Sequence, residues 1–72
     1  MLKYKLEKEE NGKKIYLYFP EGNENAPGRI SLNHNGTREI LEDSSKDFKR
    51  IYAMHALSGI DINKKEGTVA WY

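Results

Sequence analysis

The stretch LKYKLEKEENGKKIYLYF, residues 2–19, decides the fold. Leu2, Tyr4 and Leu6 alternate with Lys3, Lys5 and Glu7, the two-residue period of a strand with one buried face. Ile15, Leu17 and Phe19 alternate with Tyr16 and Tyr18 in the same way. Between the two runs lies Asn11-Gly12, a pair that tolerates the positive φ angles of a type I′ hairpin turn. A two-residue loop pairs Glu10 with Lys13, and counting back sets Leu6 opposite Leu17 and Tyr4 opposite Phe19. A three-residue loop, Glu10 to Gly12, sets Leu6 beside Tyr16 instead and moves Leu17 to Lys5 and Glu7. One slip turns a whole strand face over, so the apolar match favours the two-residue loop. In that register Lys3, Lys5, Tyr16 and Tyr18 share the side away from the core.

Working outward, residues 20–28 hold both prolines, two glycines and no large apolar side chain, which reads as a loop. Alternation resumes through Ile30 and Leu32, and Asn35-Gly36 predicts a second hairpin into Thr37–Glu42. Its register is open, because a two-residue turn aligns Ile30 with Leu41 and a three-residue turn with a bulge aligns it with Ile40. A helix is predicted near residues 45–58, with Ser44 as N-cap, Asp47 as a weaker capping-box acid and Asp43 near the positive helix end. Phe48, Ile51, Tyr52 and His55 form its expected buried stripe. Gly59 is the expected stop, and Ile60 is placed for a C-terminal hydrophobic contact. Thr68 to Tyr72 reads as a last strand with Trp71 as a core anchor. The expected class is α+β: an antiparallel sheet of four to five strands with one helix on one face, in the order β-β-β-β-α-β.

Seventy-two residues make one domain, 1–72, since two independent cores need more chain. A core this small supplies only about 3–5 kcal/mol. There is no cysteine, so neither a disulfide framework nor a thiolate metal site supplements it. Twelve basic and eleven acidic residues give a formal charge of +1, without the basic excess that usually accompanies nucleic-acid binding. No apolar run is long enough to span a bilayer, and the alternating N-terminus differs from a signal peptide. The expected setting is cytoplasmic, with no membrane contact.

Candidates for chemistry are few. His34 precedes a predicted turn, and His55 falls on the predicted apolar side of the helix, where filling the core is its ordinary role. No phosphate loop, metal-spaced cluster or nucleophile motif is present, so neither catalysis nor a cofactor or metal is expected. The surface that stands out is Lys3, Lys5, Tyr16 and Tyr18, extended by Arg29 if the third strand pairs with the second. Exposed aromatic side chains suit a protein partner or a second copy of the chain. Alternatively, tyrosines can stack bases while lysines, including Lys13 and Lys14 at the turn, track phosphates. Glu7, Glu9 and Glu10 count against that alternative. Lys46, Lys49 and Arg50 lie on the predicted outer side of the helix, a solvated charged face.

Tyr18-Phe19-Pro20-Glu21-Gly22, Ala26-Pro27-Gly28, Tyr52-Ala53-Met54-His55-Ala56 and Gly67-Thr68-Val69-Ala70-Trp71-Tyr72 together resemble a group of short uncharacterised proteins of Firmicutes genomes and their phages and mobile elements. The resemblance covers nearly the whole chain. It implies an intracellular accessory role and transfers no site. The lysine-bearing hairpin followed by a helix is also similar to the arm-type DNA-binding domains of tyrosine recombinases. This chain departs from them in its fourth strand, its terminal strand and its many acidic residues.

Overall fold

The structure, a computed structural model, describes residues 1–45 and 51–70. Among these residues five strands, β1 (Leu2–Glu10), β2 (Lys13–Pro20), β3 (Gly28–Asn33), β4 (Arg38–Glu42) and β5 (Glu66–Val69), form one sheet. The spatial order is β4-β3-β2-β1-β5, and every pairing is antiparallel. Among the described residues one helix, α1 (Ile51–Gly59), packs on one face. This is the expected α+β arrangement in the order β-β-β-β-α-β.

The first hairpin turns as its sequence dictates, with Asn11 at φ 51° and Gly12 at φ 78°. Glu10 faces Lys13, Glu9 faces Lys14 and Lys8 faces Ile15. A bulge between Leu6 and Lys8 then shifts the register by one residue. Beyond it Leu6 faces Tyr16, Tyr4 faces Tyr18 and Leu2 faces Pro20. The expected Leu6–Leu17 and Tyr4–Phe19 pairs therefore do not form. Tyr16 and Tyr18 point into the core, where both are fully buried. The reason lies at the far rim of that core. The Tyr16 hydroxyl reaches the Lys64 carbonyl at 2.6 Å, and the Tyr18 hydroxyl accepts the Ser44 amide at 3.2 Å. An inward Leu17 or Phe19 could satisfy neither backbone group.

Facing these bulky rings, α1 contributes small side chains. Ala53 and Ala56 are fully buried and Ile60 nearly so, while Leu57 is half-buried. The expected stripe is thereby corrected: Ile51 is 47 % exposed, and Tyr52 and His55 are only half-buried. Large groups from the sheet meet small ones from the helix, so the helix turns its alanines inward. Phe48, Asp47 and the predicted helix start after Ser44 lie outside the described residues, as do Trp71 and Tyr72. Ser44 itself donates its hydroxyl to the Ala26 carbonyl. The helix ends at Gly59 without a positive φ; a Cβ there would come within 2.6 Å of Val69 Cγ1.

The second hairpin resolves in favour of the longer turn. Asn33 donates to the Thr37 carbonyl at 2.8 Å, Gly36 takes φ 94°, and Ile30 faces Ile40. A further irregularity between Arg29 and Ile30 brings Glu42 opposite Arg29. In the loop before β3, Glu21 (φ 53°) and Gly22 (φ 74°) make a tight turn closed by Asn23 donating to the Pro20 carbonyl at 2.9 Å. Glu21 is an uncommon residue at positive φ. Its carboxylate is held by the Tyr52 hydroxyl at 2.6 Å, which ties this loop to α1.

Candidate binding surface

The register sorts the predicted surface residues onto two faces. Lys3 faces Phe19 and Lys5 faces Leu17 across β1 and β2; on the other side of β1 they face Thr68 and Glu66. Leu17 faces Arg29, and Ile15 faces Ser31. Lys3, Lys5 and Arg29 thus share the helix-free face, as expected. Tyr16 and Tyr18 do not belong to it; they are core residues, displaced from the surface by the bulge at Glu7. In their place β2 presents Ile15, Leu17 and Phe19, the first buried and the others half-buried. Alternation alone could not reveal this, because both parities of β2 are apolar or aromatic. One available signal was glycine: Gly28 faces Tyr18 and Gly67 faces Tyr4, each leaving room for a ring.

Arg29 is already engaged. Its Nε and Nη2 donate to the two Glu7 carboxylate oxygens at 2.8 and 2.9 Å, and its Nη1 donates to Glu42 at 2.7 Å. The fork spans β2 and joins the two places where register slips, Glu7 on β1 and the Arg29–Glu42 step on β4. Its first role is therefore to pin three strands, which planar bidentate pairing suits. The hydrogen bond from Arg29 holds the Glu7 carboxyl below its usual range; the positive charges of Arg29 and Lys8 add to this, against desolvation. A folded pKa below the unfolded one means stability present above the unfolded value, near 4.3, and lost as pH falls through the folded one. Melting temperature should therefore drop on acidification below about pH 5, and Arg29→Met should flatten part of that limb. Parallel acid limbs in the two proteins would show that the pair contributes nothing.

Ser31, in the middle of β3 on this same face, is 2 % exposed, and its hydroxyl has no hydrogen-bond partner among the described residues. A buried unpaired hydroxyl is destabilising. Ser31→Ala should leave stability unchanged or raise it by up to about 1 kcal/mol in urea denaturation. A clear loss would reveal a bond that the hydroxyl makes.

The remaining cations differ in how they are matched. Lys8 lies 3.9 Å from Glu10, and Lys14 lies 3.8 Å from Glu9 and 2.8 Å from the Ile62 carbonyl. Arg38 donates to the Leu57 carbonyl. Lys3 and Lys5 have neither an ion-pair nor a hydrogen-bond partner among the described residues. Among those residues, no three His, Cys, Asp or Glu side chains converge as a metal site requires, and no helix is long and apolar enough to cross a membrane. His34 is exposed in its turn, and His55 is half-buried on α1. Comparison with protein-family models, curated proteins and solved structures finds no match to this chain.

Proposed function

We propose that the chain is a non-catalytic binding module that takes a protein partner, or a second copy of itself, on the helix-free face of the sheet. The observation that supports this is the pair Leu17 and Phe19, half-buried at the centre of that face and flanked by the unmatched Lys3 and Lys5. An apolar centre inside a polar rim is the anatomy of a protein interface. A nucleic-acid reading draws less support, because the two tyrosines are inside and Arg29 is held by two carboxylates. On the resemblance to short proteins of Firmicutes mobile elements, the setting would be an accessory role inside the cell.

Phe19→Asp tests the reading, since Phe19 is half-buried on the face in question and outside the main core. Light scattering after size exclusion, together with capture from host lysate, should show a dimer or a retained protein with the native chain. Phe19→Asp should abolish it while far-UV circular dichroism stays unchanged. A native chain that is strictly monomeric and retains nothing would count against the proposal. So would binding that Phe19→Asp leaves intact.

A further inference from the structure

Two rows cross the helix-free face at its β5 side: Phe19, Lys3 and Thr68, then Leu17, Lys5 and Glu66. Over the first row lies a hollow of about 310 Å³, lined by Lys3, Lys5, Phe19, Thr68, Glu66 and Glu24. That volume is at the small end of ligand sites, enough for a side chain or two. Among its lining residues Phe19 is half-buried and Thr68 exposed. The Lys3 stem runs past Gly22, where an added Cβ would meet its Cδ and Cε at 3.6 Å.

Lys3 and Lys5 are two positions apart on one strand face, roughly 7 Å from each other. Like charges so placed repel, and a nearby anion relieves both. Lys5 faces Glu66 directly across the strand pair, yet no ion pair forms between them. Glu24 and Glu66, which also line the hollow, select among anions. A chain of phosphates laid across the hollow would bring more charge against them than one carboxylate between the lysines.

We infer that the hollow takes an acidic side chain of an extended partner peptide, its carboxylate between Lys3 and Lys5 and its apolar neighbour on Phe19. This names the partner chemistry of the proposed binding face and rests on that reading. The test is titration of the isotope-labelled full chain, followed by amide chemical shifts, with three probes. These are acetyl-Gly-Glu-Phe-Glu-Gly-amide, the same peptide with lysine for glutamate, and a decathymidylate.

The acidic peptide should shift the signals of Lys3, Lys5, Phe19 and Thr68 at low salt, and weaken on the order of tenfold at physiological ionic strength. Charge reversal by Lys3→Glu with Lys5→Glu should remove this response and confer binding of the lysine peptide. Absence of shifts with the acidic peptide, equal shifts with the lysine peptide, or tighter binding of the oligonucleotide would each overturn the inference. If the charge reversal left partner capture intact while Phe19→Asp abolished it, the binding face would stand and the acidic partner would fall.

Discussion

A chain carrying Tyr16→Ala is expected to be largely unfolded at room temperature, where a surface tyrosine would merely lose a partner. Tyr16 has no exposed surface and meets Tyr4 edge-to-face, with ring centroids 5.8 Å apart and planes at 73°. Removing a buried aromatic side chain costs about 3–5 kcal/mol, as much as a domain of this size is expected to hold in total. Urea denaturation or dispersion of amide proton signals reads the outcome directly. A Tyr16→Ala chain with native dispersion and an unchanged midpoint would place the ring outside the core. Tyr16→Phe separates packing from the hydroxyl, whose bond to the Lys64 carbonyl secures the segment between α1 and β5. Its loss should cost about 1 kcal/mol. Burial first, then the charges on Tyr4, Asp61 and Glu9, hold this phenol above its ordinary pKa. The raised value stabilises the fold below the unfolded pKa near 10, and that contribution fades as pH rises through the folded one. Tyr16→Phe should therefore flatten the alkaline limb.

Most of the architecture was legible because turns and periods are local. Asn11-Gly12 demanded a type I′ turn and obtained one, and the Asn35-Gly36 hairpin took one of the two registers its residues allowed. The face that each strand buries was harder to read. Up to Lys8 the hairpin follows the expected pairing; at Glu7 one extra residue inverts it, and nothing in residues 6–8 announces a bulge. What holds that bulge is long-range: Arg29, 22 positions away, grips Glu7 with two hydrogen bonds. Hydropathy then misled in a definite way. It ranked Leu17 and Phe19 above Tyr16 and Tyr18 for burial, although only a tyrosine is long enough to cross the core and still end in a hydroxyl. The helix followed from the same inversion, since a core filled with rings leaves space for alanines and not for Ile51. Of the residues read as one surface, Lys3, Lys5 and Arg29 share a sheet face, while Phe19 and Thr68 joined them only with the register.

Gly28→Ala is the second substitution expected to have a large effect, and its sign is informative. Gly28 sits at the start of β3 without a positive φ, so its backbone suits any residue. By backbone entropy alone, alanine there should stabilise by roughly 0.4–1 kcal/mol. Yet an added Cβ would lie 2.1 Å from Cζ and 2.2 Å from Cε1 of Tyr18, the residue directly opposite. That ring cannot swing aside freely, because its hydroxyl is bonded to the Ser44 amide and Tyr4 faces it from β1. Overpacking of this kind costs about 1–3 kcal/mol, so the clash outweighs the entropic gain and the variant should be destabilised. Gly28→Ala combined with Tyr18→Leu should cost less than the sum of the two single changes, because the smaller side chain removes the collision. A stabilised Gly28→Ala chain, or strictly additive costs, would mean that the Tyr18 ring does not lie over Gly28.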